Sequence, residues 1–205
     1  DIKDATETDL LGTSVDLIPT LLAICGARTG DTSDRWPDLK GVSLASALQG
    51  SPTERDQRGM LMNYTASLAW DVDFVETLFR GQVRGEFTDE EKLQMAAGQS
   101  LSKYACFRGI ADGRYKFARY FKPNRHHQPK EWATLAEHNE LELYDTLSDP
   151  DELRNLASKS ADYKDLILEL NERLNNLIDI EIGIDDGRCY SSRRSYALND
   201  SSGTS

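Results

Sequence analysis

Three cysteines and three histidines in 205 residues leave little room for thiol or metal chemistry. Cys25, Cys106 and Cys189 stand too far apart for a zinc knuckle or a CxxC redox pair. An odd count also argues against a disulfide framework, so they read as ordinary thiols. His126, His127 and His138 lack both the i, i+4 spacing and the Cys partner of a zinc site. A basic excess is missing too: 24 Lys and Arg face 35 Asp and Glu, for a net charge of -11. That excludes a protein built to grip nucleic-acid backbone. The longest apolar stretches, Leu21–Cys25 and the patch around Leu166–Leu170, fall far short of a membrane span. No signal peptide is visible. Asp1-Ile2-Lys3-Asp4 lacks an initiator Met and reads as the start of a processed or partial chain. GxGxxG, P-loop, GxSxG and HExxH motifs are all absent. No nucleophile with an adjacent base can be assembled from the sequence.

What is present begins with an uneven charge. Residues 1–130 carry 17 basic and 18 acidic side chains, residues 131–186 carry 4 and 16, and residues 187–205 carry 3 and 1. Within the first part, 103–130 holds eight Lys or Arg against Asp112 alone. A basic stretch followed directly by an acidic one predicts that the two lie together and partly neutralise each other. The competing reading is an anion-attracting surface on the basic element.

The local patterns give a coarse map. Ser14–Leu22 reads as a helix start, with Asp16 as cap, Pro19 in the first turn and Gly26 as the stop. This helix is apolar nearly all round, which predicts burial. Val42–Leu48 reads as a short helix ending at Gly50, and Met60–Tyr64 as a strand after a polar turn. Ala69–Arg80 fits strand or helix, and Asp89–Ala97 fits a helix. Asp112-Gly113 between two β-rich runs predicts a hairpin, with Ile110 opposite Tyr115 and Arg108 opposite Phe117. Its predicted buried face holds Tyr104, Ile110, Tyr115, Phe117 and Phe121. The other face holds Phe107, Lys116 and Tyr120, and the hairpin arginines read mostly as exposed charges. Pro123–Pro129 reads as a loop and Glu140–Tyr144 as a strand. Asp149-Pro150-Asp151-Glu152 has the shorthand of a helix start. From Ser160, Tyr163, Leu166, Ile167, Leu170, Leu174, Leu177 and Ile178 recur at helical spacing as one apolar stripe ended by Gly183. The Ser-rich segment 187–205 reads as disordered. The sum is α+β: an antiparallel sheet of three or four strands with a long helix across one face.

Asp71, Asp73 and Glu76 are acidic but match no calcium loop. Asn63-Tyr64-Thr65 and Asn199-Asp200-Ser201 fit the glycosylation sequon, a weak pattern that matters only in a eukaryotic secretory setting.

Three segments, in order, resemble one family. Ser14-Val15-Asp16-Leu17-Ile18-Pro19-Thr20-Leu21-Leu22-Ala23-Ile24-Cys25-Gly26, followed by Leu39-Lys40-Gly41-Val42-Ser43-Leu44 and Leu48-Gln49-Gly50, resembles the late part of a sulfatase catalytic domain. Arg108–Phe117 is similar to the sulfatase C-terminal hairpin. Glu142–Ala157 resembles its "ELYDL…DP.E..NLA" signature almost letter for letter. The resemblance covers roughly residues 9–186.

The resemblance implies the end of an alkaline-phosphatase-like α/β domain over residues 1–50. It implies a C-terminal subdomain over 51–186, with a small antiparallel sheet and a long helix, and a tail over 187–205. It implies hydrolysis of sulfate esters by a hydrated formylglycine that attacks sulfur, with calcium and cationic groups holding the sulfate oxygens. The nucleophile's C/S-x-P-x-R motif has no match here, and the calcium ligands also lie upstream in the family. By this reading the chain alone is inactive, holds no catalytic or metal residue, and rests on a missing N-terminal domain. Nucleic acid and membrane are not expected partners. A periplasmic or extracellular location follows only by analogy. The Pro123–Trp132 loop, with His126 and His127, is the expected point of contact with the substrate's alcohol portion, on loop position rather than a motif. A phosphodiesterase or phosphonate-ester hydrolase on the same scaffold is the alternative, and a non-catalytic acidic interaction module is a third.

Overall fold

The computed structural model describes residues 10–27, 35–65, 72–88, 90–91, 104, 106–122 and 128–183. Helices are α1 (Leu17–Ile24), α2 (Glu54–Arg58), α3 (Val72–Arg84), α4 (Trp132–His138) and α5 (Ser160–Glu181). Strands are β1 (Met60–Thr65), β2 (Cys106–Ala111), β3 (Tyr115–Phe121) and β4 (Asn139–Asp145). The strands form one four-stranded antiparallel sheet in the order β1-β2-β3-β4. The expected α+β arrangement of a small sheet under a long helix is therefore what the chain forms.

The apolar stripe of α5 builds the core. Ile167, Leu170, Leu174, Leu177 and Ile178 are buried against Ile110, Phe117 and Leu143 on the facing side of the sheet. Each such side chain contributes about 1.5–3 kcal/mol when taken fully from water. Asn171 and Asn175 interrupt the stripe and are buried too. Their amides donate to the Pro129 carbonyl at 2.7 and 3.0 Å, which moors the chain before α4 to the helix. Gly183 ends α5 as expected, at φ 84° with its N–H on the Ile178 carbonyl at 2.9 Å.

The hairpin forms, but two residues out of the expected register. Ile110 stands opposite Phe117 and Arg108 opposite Arg119. The cause is Asp112, whose Oδ1 accepts the N–H groups of Arg114 and Tyr115 at 3.1 and 2.7 Å. That local cap holds Asp112 beside the turn, so Gly113, at φ 94°, and Arg114 make the tip. A two-residue shift returns every side chain to its own face, so the face assignment survives for the residues within β2 and β3. The exposed-arginine expectation does not. Arg108 and Arg119 are buried, with Arg108 over the Phe121 ring at 5.5 Å and Arg119 donating to Asn171.

Other expectations change in detail. Thr13 caps the 3-10 turn Ser14–Asp16 before α1, and Asp16 answers as the far end of the capping box. The expected helix over Val42–Leu48 contracts to a 3-10 turn, Ala47–Gln49. Of the ambiguous stretch 69–80, residues 72–80 are helical within α3, and 69–71 lie outside the described residues. Of the helix expected over 89–97, Glu90 and Glu91 are helical, and the rest lies outside the described residues. No helix starts at Asp149; the chain turns there and runs on to a 3-10 turn, Leu156–Lys159, capped by Asn155. The polar segment before β1 is itself α2, opened by a Thr53–Asp56 capping box.

The largest surprise is α1. Leu17, Ile18, Leu21 and Ile24 are each half or more exposed. The segment is nevertheless anchored by its polar side. Asp16 is buried and accepts from the Val42 N–H at 2.8 Å and from Arg55. Arg55, also fully buried, pairs with Glu181 at the end of α5 and donates to the Gly59 carbonyl at 3.1 Å. One guanidinium thus joins the opening segment, α2 and α5. Gly41 allows this approach: at φ 91°, a Cβ there would lie 2.3 Å from the Val15 carbonyl oxygen.

Candidate functional site

The signature segment 142–157 folds into one tightly bonded unit at the hairpin tip. Asp145, the last residue of β4, pairs with Arg114 at 2.9 Å, and its carbonyl accepts the N–H groups of Ser148 and Asp149. The Arg114 carbonyl accepts the Thr146 N–H at 2.8 Å and its hydroxyl at 2.9 Å. Asp149 Oδ2 accepts the Arg154 N–H at 2.8 Å. Asn155 Oδ1 accepts the N–H groups of Leu143 and Ala157 at 3.0 and 2.9 Å, while its amide donates to the Leu141 carbonyl at 3.0 Å. Glu152 sits at φ 53° in the left-handed region, its carboxylate paired with Lys116. That region is costly for a residue with a Cβ and persists only where neighbours hold it.

The basic hairpin and the acidic stretch after it do lie together. Besides Arg114–Asp145 and Lys116–Glu152, Arg173 on α5 pairs with Asp112 at 2.7 Å. Burial alone would raise the Asp112 carboxyl. The N–H donors of Tyr115 and Arg114 and the Arg173 guanidinium outweigh it, so the group titrates below the usual carboxylate range. Asp145 is likewise lowered, first by its bond to Arg114.

Between the turn and the start of α5 lies a cleft of about 660 Å³. Tyr115, Leu156 and Tyr163 line it with apolar and aromatic surface, and Arg114, Arg154 and Lys159 supply positive charge. A volume of this size suits a small molecule. The strained turn at Glu152 delivers Leu153 and Arg154 to its edge.

The other face of the sheet carries an aromatic ladder. Tyr64, Phe107 and Tyr120 are successive cross-strand neighbours, with ring centroids 6.2 and 5.5 Å apart. Tyr120 donates to Glu142 at 3.0 Å. Burial first, then that carboxylate, pushes its phenol up to about 12.

His126 and His127 lie outside the described residues. His138 closes α4, half-buried. Among the described residues no group of three or more His, Cys, Asp or Glu is placed to hold a metal ion, so no catalytic step through calcium is assigned to them. Cys25 is exposed and Cys106 is buried beside Phe121. Among the described residues no helix is long and apolar enough to cross a membrane.

The cleft was not legible in the sequence. Arg114, Arg154, Lys159 and Tyr163 come from three separate stretches, and no spacing rule connects them. The one signal was that Arg154 and Lys159 are two of the four cations in the acidic stretch 131–186.

No family model matches the chain, and no curated protein matches it at a significant level. Among solved structures, the Bacteroides fragilis protein yidJ, named as a candidate sulfatase, is 16% identical with a TM-score of 0.45, over 82% of this chain and 24% of that one. The phosphonate monoester hydrolase of Agrobacterium radiobacter is 20% identical with a TM-score of 0.44, over 85% of this chain and 26% of that one. The chain spans about a quarter of the length of each.

Proposed function

We propose that the chain is the C-terminal part of a sulfatase of the alkaline-phosphatase-like superfamily, whose catalytic centre lies on polypeptide upstream. The observation that carries this reading is the segment Glu142–Ala157. Its resemblance to the family signature is close in sequence, and its Asp145, Asp149, Glu152 and Asn155 are each held in a specific bond at the hairpin tip. The resemblance is therefore matched to residues with defined structural work, and not to interchangeable surface letters.

In this reading residues 1–50 end the catalytic domain, 51–186 form the C-terminal subdomain and 187–205 are a tail. The uncovered apolar side of α1 supports it: four large aliphatic side chains facing water on one short helix are better placed against a larger body. The upstream part would supply the formylglycine nucleophile and the calcium site, and the substrate would be a sulfate ester. His126 and His127 would face the substrate's alcohol portion.

The test is an assay of the product of the complete coding sequence on an aryl sulfate and an aryl phosphate diester. Faster hydrolysis of the sulfate supports the reading. Preference for the diester assigns the chain to the phosphodiesterase or phosphonate-ester branch instead. Absence of a C/S-x-P-x-R motif upstream defeats the formylglycine mechanism.

A further inference from the structure

We infer that the cleft beside the hairpin tip binds a small organic oxyanion: a ring-sized apolar body carrying one carboxylate or phosphate group. This goes beyond the proposed sulfatase reading and does not depend on it.

Charge is the first argument. The chain carries a net charge of -11, and the stretch 131–186 holds 16 acids against four bases. The nearby cations Arg114, Lys116 and Arg173 each pair with a carboxylate. Arg154 and Lys159 do not: among the described residues neither has a carboxylate partner. The Arg154 guanidinium reaches only the Ser148 carbonyl, at 3.4 Å. Both side chains line the same cleft. The two acids of its wall are already engaged, Asp145 by Arg114 and Asp149 by the Arg154 N–H.

Shape is the second argument. Tyr115, Leu156 and Tyr163 give the cleft an apolar lining, and its volume of about 660 Å³ admits a ring. The Arg154 guanidinium and the Lys159 ammonium, both on the cleft lining, suit a carboxylate or phosphate head. Backbone strain is the third. Glu152 is the one non-glycine residue with positive φ among those described, and the turn it makes brings Arg154 to the cleft. An outlier of that kind is a pointer to function.

The experiment is an amide-resonance titration of the 205-residue chain with benzoate, phenyl phosphate, inorganic phosphate and benzyl alcohol. Benzoate and phenyl phosphate are expected to give saturable shifts at Tyr115, Asn155 and Lys159, weakening as salt is raised. Inorganic phosphate and benzyl alcohol, each offering half of the recognition, are expected to bind more weakly. Arg154→Ala and Lys159→Ala should each weaken binding about ten-fold, the effect of losing one charge-assisted hydrogen bond. Both positions are exposed, so the variants should keep the wild-type melting temperature. No saturable shift with either ring anion, saturation independent of salt, or unchanged affinity in the double variant overturns the inference. Inorganic phosphate binding as tightly as phenyl phosphate overturns it too.

Discussion

Arg55 shows how one side chain can hold distant stretches together. Its guanidinium is fully buried and balanced by two carboxylates, Asp16 and Glu181. A buried ion pair adds little over a well-fitted apolar substitute, but breaking one strands a charge. Arg55→Met therefore leaves Asp16 and Glu181 facing each other without a cation, and should cost about 3–5 kcal/mol. The denaturant midpoint measures this, and an unchanged midpoint contradicts the assignment. Asp16 also makes the pH dependence predictable. Burial would raise its carboxyl, but Arg55 and the N–H groups of Val42 and Thr13 lower it below the usual range. Asp112 is lowered in the same way. A carboxylate with a depressed folded-state pKa adds stability above its unfolded value of about 4, and this is lost as pH falls through the folded value. Unfolding free energy should thus drop on acidification below about pH 4. Asp112→Asn should flatten part of that drop in a series of denaturant titrations.

At the scale of elements, periodicity was a good guide where one rule governed. The stripe on α5 was legible because every third or fourth residue meets the same sheet, and Leu174→Ala should cost about 2–5 kcal/mol by thermal unfolding. The Asp149-Pro150 shorthand misled because competing bonds won. Asp149 turns its carboxylate to the Arg154 N–H, and Asn155 takes the cap further on. Asn155→Ala unpairs the Leu143 N–H and the Leu141 carbonyl, so it should cost roughly 1–3 kcal/mol. The same titration reads it, and Asn155→Asp, which keeps the acceptor but not the donor, should fall between. The hairpin register slipped for a related reason: the Asp112 carboxylate caps the turn from beside it. The pleat made that slip harmless to the faces.

At the scale of the molecule, the exposed side of α1 is the clearest consequence. An apolar helix with Leu17, Ile18, Leu21 and Ile24 each half or more exposed predicts self-association of the 205-residue chain. Replacing Ile18 and Leu21 with Glu should reduce light scattering at matched concentration while leaving the melting temperature within error, because neither side chain is buried. A lowered melting temperature would show that the helix is covered within the chain. On the proposed reading the purified chain hydrolyses no aryl sulfate, and measured turnover would defeat the missing-centre argument.

Composition and period alone determined that the chain is acidic, builds an α+β core and closes it with an amphipathic helix. These follow from rules that act within a few residues: alternation on a strand, a 3.6-residue repeat on a helix, a glycine at a tight turn. The tertiary structure decided which charges are buried, which helix faces water and where a cleft opens. Those outcomes depend on residues up to 165 positions apart, such as Asp16 and Glu181 on one guanidinium. The burial of a charge or of a whole helix depends on everything packed around it, so the short-range patterns that reported the α5 stripe did not report these.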